Sequence, residues 1–313
     1  MFPILLVDQG LPPTLTRIDW TNIAGLSSGH GRKSCETIKR HADSRHIELW
    51  GIEGNDANIS SLPELVRQCQ AVIAIHPYSA PPSASWIASF ASCFYDERCL
   101  HVTNLGHQGL GKFRFPGILD YTLSVGISNI HGVPDNRCSV YRERPSLWIP
   151  DAITDVSLGD DLGVYGGTSA AVCVAGSWAA NLVSKMAKAG GPELKSIRTK
   201  VAMLASVQAG GLNAPAAENA IVQCASGVGG CLHGSFRLSG QNATRIAVAG
   251  AAPPGLFGLL HQAPRLNVVI NGLRLDGISE LTTNYTDLAD EIHFQINSPD
   301  SSELAIGVVE LHD

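Results

Sequence analysis

The chain has 313 residues, of which 44% are hydrophobic and 16% charged, enough for one sizeable core with a smaller module beside it. Its formal net charge is −6 and no basic run is long, which argues against nucleic acid or an anionic membrane surface as a partner. No apolar stretch reaches membrane-spanning length without polar interruption, and the amino terminus lacks the basic-then-apolar pattern of a signal peptide.

The first element is the apolar run Pro3-Ile4-Leu5-Leu6-Val7, which ends at Asp8-Gln9-Gly10 as a buried strand delivering a carboxylate to a turn would. His30 follows in Ser28-Gly29-His30-Gly31, ahead of a helical stretch over 33–42. Further strands are expected at 47–52, 71–76, 99–103 and 121–127, and helices at 62–70, 83–95, 169–189 and 192–206. Strands alternating with helix-length segments predict an α/β fold with a doubly wound parallel sheet, whose chemistry sits on loops at the carboxyl ends of the strands.

The run Gly166-Gly167-Thr168-Ser169-Ala170-Ala171 places one small hydroxyl at the mouth of a long helix of Ala, Val, Ser and Leu, closed by Gly190-Gly191. A helix apolar on nearly every face should be buried. A serine in its first turn has its own N–H unpaired within the helix and lies at the positive end of the macrodipole, where an oxyanion would be stabilised. An ordinary N-capping serine fits the same residues.

The chain order of the three candidate groups is Asp8, His30, Ser169, an order in which such triads are known to occur. An α/β-hydrolase would show Gly-x-Ser-x-Gly with the acid and histidine after the serine, whereas position 171 is Ala.

With these residues in view the chain resembles a subtilisin-like serine peptidase. Gly167, Thr168, Ser169 and Ala171 match the family's serine motif, while Ala170 stands for its Met, Cys173 for its helix Pro, and Ala175-Gly176-Ser177 for the closing Val-Ala-Gly. Asp8-Gln9-Gly10 is similar to the family's Asp-x-Gly; its histidine motif matches only at His30-Gly31, because Arg32 and Lys33 follow. The likeness runs from residue 2 to about 224, ending near Gly211-Leu212-Asn213-Ala214. It implies Asp8, His30 and Ser169 as the catalytic triad and Gly167 and Thr168 as part of the substrate site. It also implies an oxyanion-stabilising amide just after a strand: Leu100-His101-Val102-Thr103-Asn104-Leu105-Gly106 offers Asn104, and an alignment on Gly106-His107-Gln108-Gly109 offers His107 instead. Where the family's substrate-pairing edge carries Ser-Leu-Gly, this chain has His76-Pro77-Tyr78, and a proline cannot donate to an edge ladder.

The eight cysteines show no Cys-x-x-Cys spacing and read as buried free thiols, with Cys224 and Cys231 close enough to pair if the chain is exported. The sequons at Asn242 and Asn284 mean nothing without export.

Beyond Cys224 the texture becomes β-rich, with strands expected at 235–239, 244–249, 266–275, 291–296 and 304–311, read as a small antiparallel sandwich. The division expected is 1–226 and 230–313, and the second part weakly resembles the jelly-roll domain that follows many subtilase catalytic domains. Arg265-Leu266-Asn267 stands where acidic residues often accompany that module, and Asp160-Asp161 reads as a solvated turn, so no metal or other cofactor is expected.

The resulting expectation is a serine endopeptidase acting on protein or peptide substrates. The absence of a leader or pro-segment points to a cytoplasmic enzyme or a mature secreted fragment, controlled by a protein partner. The alternative is a scaffold or binding protein that kept the fold and lost catalysis.

Overall fold

A computed structural model describes residues 1–27, 29–81, 83–94, 98–109, 114–119, 121–140, 145–154, 156–157, 163–188, 195–207, 221–239, 243–251, 265–278, 280–285, 290–299 and 303–311. The first seven strands are β1 (Phe2–Asp8), β2 (Thr16–Arg17), β3 (Ile47–Glu53), β4 (Ile73–Ile75), β5 (Leu100–Asn104), β6 (Leu123–Ser128) and β7 (Leu147–Pro150). They form one sheet in the order β2-β3-β1-β4-β5-β6-β7, parallel throughout except for β2. Ile4 to Val7 and Ile73 to Ile75 are all buried, which explains why these strands read as continuous apolar runs rather than alternating ones, and Leu100 to Asn104 are buried as well although His101, Thr103 and Asn104 are polar.

The connecting helices are α1 (His30–His41), α2 (Asp56–Ser60), α3 (Leu62–Cys69), α4 (Ala84–Phe94), α5 (Asp151–Thr154), α6 (Gly167–Lys188) and α7 (Ser196–Ser206). The long helix α6 packs on β4, β5 and β6 and against α1, and Ala170 to Ala175 are wholly buried within it. Two short strands, β8 (Val156–Ser157) and β9 (Val164–Tyr165), form a separate hairpin just before α6.

The last eight strands are β10 (Ile221–Val228), β11 (Cys231–Arg237), β12 (Ala243–Ala251), β13 (Leu266–Ile270), β14 (Leu273–Ile278), β15 (Glu280–Tyr285), β16 (Glu291–Asn297) and β17 (Glu303–Leu311). They make two antiparallel sheets, β10-β17-β12-β15 and β11-β16-β13-β14. Residues from both sheets, among them Phe236, Ile246, Val248, Val268, Phe294, Ile306 and Val308, share a second core. The run over 266–275 is therefore two strands rather than one. Strand β10 falls across the 226–230 boundary expected from sequence and pairs with β17.

The alternation along β12 and β17 explains how the two parts join. Ile246, Val248, Ile306 and Val308 point into the second core, whereas Ala247, Ala249, Ala305 and Val309 belong to the first. Their small side chains meet α7, and a Cβ on Gly307 would come within 3.0 Å of the Val201 backbone. Lys200 of α7, almost fully buried, pairs with Glu280 of β15. Helix α7 is thus shared between the parallel sheet and the antiparallel pair. Among the described residues no helix is long and apolar enough to cross a membrane.

Candidate active site

The strand order places the site. In β3-β1-β4-β5 the chain runs outward from β1 in both directions, and the crevice beyond the carboxyl ends at such a reversal is where open α/β sheets bind ligands. Asp8 ends β1, His76-Pro77-Tyr78 follows β4, and Asn104 ends β5, so three candidate groups come to one edge through sheet geometry alone.

Asp8 is 1% exposed, and a buried carboxylate requires donors. It receives three. Gln9 donates its backbone N–H to Oδ1 (2.8 Å), Ser34 donates its hydroxyl to Oδ2 (2.6 Å), and His30 Nδ1 lies 2.8 and 2.7 Å from the two oxygens. His30 is the first residue of α1, which begins three residues earlier than the 33–42 stretch suggests. Its position is fixed by Gly31, whose N–H donates to the Gln9 carbonyl at 2.7 Å; a Cβ there would lie 2.7 Å from that same oxygen, so only glycine lets α1 sit this close to the turn after β1. The His30 side chain keeps 37% exposure, enough for its far nitrogen to meet a substrate.

Tyr165 is packed edge-on against His30, with ring centroids 5.2 Å apart. Its hydroxyl is 2.8 Å from Ser34 Oγ and 3.4 Å from His30 Nε2. Since Ser34 spends its proton on Asp8, Tyr165 donates to Ser34 and turns a lone pair toward His30. Burial pushes the Tyr165 hydroxyl and the neighbouring Cys173 thiol well above their ordinary values, so both stay protonated. Cys173 stands where the resembled family has proline, and it fills the space behind Asp8 and Ser34.

Ser169 lies in the first turn of α6, entered through Gly167 at φ +71. Its hydroxyl donates to the Pro77 carbonyl (2.8 Å) rather than to His30. Thr168 donates both its N–H (3.1 Å) and its hydroxyl (2.7 Å) to His107 Nε2. That nitrogen must be unprotonated to accept them, in keeping with burial and Arg137, which together lower the His107 pKa below the ordinary histidine value. Committed in this way, His107 Nε2 has no proton to offer an oxyanion. Asn104 is 2% exposed and accepts from Gly106 N–H through Oδ1 (2.8 Å); its amide NH2 makes no hydrogen bond among the described residues.

Of the residues expected to contact substrate after β4, Tyr78 is half-buried, whereas His76 turns its side chain inward. The imidazole of His76 is fully buried, 3.0 Å from the Tyr78 hydroxyl and 3.0 Å from His101 Nδ1, stacked on His101 with centroids 5.2 Å apart. Residue 76 is two on from Ala74, which faces His101 across the parallel pair, so the two rings are diagonal neighbours on one sheet face. Only the Pro77 carbonyl of this segment reaches the nucleophile.

The sequence assigns no role to Ser34, Tyr165 or His101. Ser34 alone left a signal, since it lies four residues after His30 on one helix and so on the same face. The segments Gly211–Ala214 and Asp160-Asp161, and Asn242 of the first sequon, lie outside the described residues. All eight cysteines are free thiols. No group of three or more His, Cys, Asp or Glu that could hold a metal ion occurs among the described residues.

No family model matches the chain, and no curated protein matches it by sequence. Solved structures do. The prenylagaramide maturation protease PagA matches with TM-score 0.51 and 17% identity over 66% of this chain and 84% of its own. The patellamide maturation protease PatA matches with TM-score 0.51 and 15% identity over 66% and 86%. A cold adapted subtilisin-like serine proteinase matches with TM-score 0.51 and 13% identity over 66% and 83%. The fold is therefore that of the subtilisin-like proteases, over about 65% of the chain.

Proposed function

We propose that the chain is a serine endopeptidase that cleaves peptide bonds through an acyl-enzyme on Ser169. The observation that carries this reading is the buried Asp8 carboxylate gripping His30 Nδ1 at 2.7 and 2.8 Å, on the sheet edge where Ser169 opens α6. A serine hydroxyl is a weak nucleophile near neutral pH and needs an oriented base. Asp8 holds the His30 tautomer whose Nε2 is free to take the Ser169 proton, and it stabilises the imidazolium that forms. The Tyr165 lone pair, 3.4 Å from Nε2, is satisfied by that imidazolium and by no neutral form with Nδ1 protonated.

Before proton transfer the Ser169 hydroxyl must leave the Pro77 carbonyl. A substrate strand laid along this edge supplies a backbone N–H for that carbonyl, which frees the hydroxyl to turn to His30. A protein partner occupying the same edge would hold or release the hydroxyl, which is how partner control would operate. The oxyanion then meets the Asn104 amide and the Ser169 backbone N–H. His30 passes its proton to the leaving amine, and water hydrolyses the ester. Peptide processing by PagA and PatA, maturation proteases by name, is consistent with a peptide substrate here.

The second reading, a binding protein with the fold and no catalysis, is favoured by the one bond that runs against the first: Ser169 to Pro77. A fluorophosphonate probe separates them. Labelling of the wild type that disappears in Ser169→Ala and His30→Ala supports the peptidase. Labelling that survives Ser169→Ala removes the nucleophile, and an unlabelled wild type that also leaves every peptide uncleaved favours the scaffold.

A further inference from the structure

We infer that Arg114 makes the cleft selective for an acidic side chain on the residue whose carbonyl Ser169 attacks. The inference rests on the peptidase reading for the placement of that residue. Two backbone segments flank the nucleophile: the edge after β4, whose Pro77 carbonyl holds Ser169 Oγ at 2.8 Å, and the end of β5, which carries Asn104. An acyl group on Ser169 with its oxygen at the Asn104 amide puts its Cα between the two segments. Its side chain then runs outward to solvent or inward along the crevice they enclose.

Arg114 stands beside both of these segments. Its neighbour Phe115 is bridged to Ala80, each N–H donating to the other's carbonyl at 3.0 Å, which fixes residue 114 beside the edge. Gly106, two residues past Asn104, brings the three together: a Cβ built on it would lie 2.7 Å from Ser79 Oγ and 3.5 and 3.6 Å from Arg114 Cγ and Cδ. The aliphatic stem of Arg114 thus lies across the β5 end, opposite Ser79. The Gln108 amide, its oxygen turned to the guanidinium, accepts from Arg114 Nη2 and from Nε at 3.1 Å.

The charge balance gives the chemistry. Arg137, nearby, is paired with Asp135, and Arg17 and Arg45 pair with Glu48 and Asp43. Arg114 has only a neutral amide and no carboxylate partner among the described residues. A half-buried guanidinium clamped in one pose, with donors left over, selects a carboxylate, because such hydrogen bonds are charge-assisted and can be bidentate. Glutamate, one methylene longer than aspartate, carries its carboxylate farther from the reacting carbonyl toward Arg114.

The test is a peptide series that differs only at the residue before the cleaved bond, with Glu, Asp, Gln, Ala, Phe or Lys there. Wild-type kcat/KM is expected to favour Glu over its neutral isostere Gln by about tenfold or more. Arg114→Ala should bring the two within about threefold, while Arg114→Lys, which keeps the charge, retains part of the preference. The same peptides, cut off after the varied residue, are titrated against Ser169→Ala by fluorescence anisotropy. Ser169-dependent cleavage with Glu and Gln equal would overturn the inference and leave the peptidase reading intact. Absent cleavage with Glu-selective binding that vanishes in Arg114→Ala would do the reverse. Cleavage and binding both absent, or a preference untouched by Arg114→Ala, would also overturn it.

Discussion

The two halves of the candidate site are built to different degrees. On the β1 side the carboxylate is tied on both oxygens: Asp8 is held by Gln9, Ser34 and His30, and Ser34 in turn by Tyr165. On the β4–β5 side the Ser169 hydroxyl bonds a backbone carbonyl, and the Asn104 amide makes no hydrogen bond among the described residues. The difference follows from charge. A carboxylate that is 1% exposed has to be satisfied in the folded chain itself, whereas the neutral amide of Asn104, just as buried, and the half-buried Ser169 hydroxyl carry no such charge. Under the peptidase reading the acid–base half is assembled by folding and the nucleophile half by binding.

The largest expected effect breaks the finished half. Asp8→Asn leaves the geometry nearly intact but offers His30 an amide that favours the wrong tautomer, and kcat should fall on the order of 10⁴-fold with little change in KM. Next comes the open half. Asn104→Ala removes one oxyanion donor and should cost about 10²–10³ in kcat. An equal loss from His107→Ala, with Asn104→Ala harmless, would exchange the roles given to these two residues; the expected effect of His107→Ala is a loosened start of α6, since it removes the acceptor of Thr168.

A smaller effect tests the support behind His30. Tyr165→Phe deletes the hydroxyl that props Ser34 and faces His30 Nε2, and should lower kcat about tenfold with KM held. Ser34→Ala should act in the same direction, and the double variant should lose less than the product of the two single effects, because both belong to one hydrogen-bonded chain. Independent, multiplying losses would show that Tyr165 acts apart from Ser34.

The same contrast explains what the sequence revealed. Asp8, His30, Ser169 and the parallel sheet were legible because each rests on local pattern: an apolar run ending at Asp8, glycines around His30, and a small-residue helix behind Ser169. Partners that meet through strand register were not. His76 looks like a substrate contact after β4, yet it turns inward because His101 lies diagonally across on β5, and no local pattern states that register. Tyr165 likewise reaches Ser34 over 131 residues of chain. The hairpin within 266–275 does carry a local signature: Asn271-Gly272 takes φ of 45° and 85°, the backbone that Asn-Gly favours between paired strands. Helix α7 is expected from the sequence over 192–206, but its sharing between the two parts is not, because the small inner residues of β12 and β17 look like weak strand positions until the helix they face is known.

The histidine pair beneath the Pro77 edge sharpens the comparison through stability rather than rate. Burial lowers the pKa of His76 well below its ordinary value, with His101 beside it adding to the effect, and burial alone takes His101 to about 3. Folded, both rings stay neutral; unfolded, each takes up a proton below about pH 6.5. The unfolded state therefore binds more protons, and the stability present above that pH is lost as pH falls, by at most about 1.4 kcal/mol per pH unit for each histidine, down to about 3 for His101. Single replacement of His101 leaves His76 Nε2 without its partner, so the informative variant is the double His76→Leu/His101→Leu, which also removes the buried, unpartnered Nε2 of His101. Urea unfolding at pH 7, 6 and 5 should show a steep decline for the wild type and a flatter one for the double variant. Parallel declines would mean that the acid sensitivity comes from elsewhere.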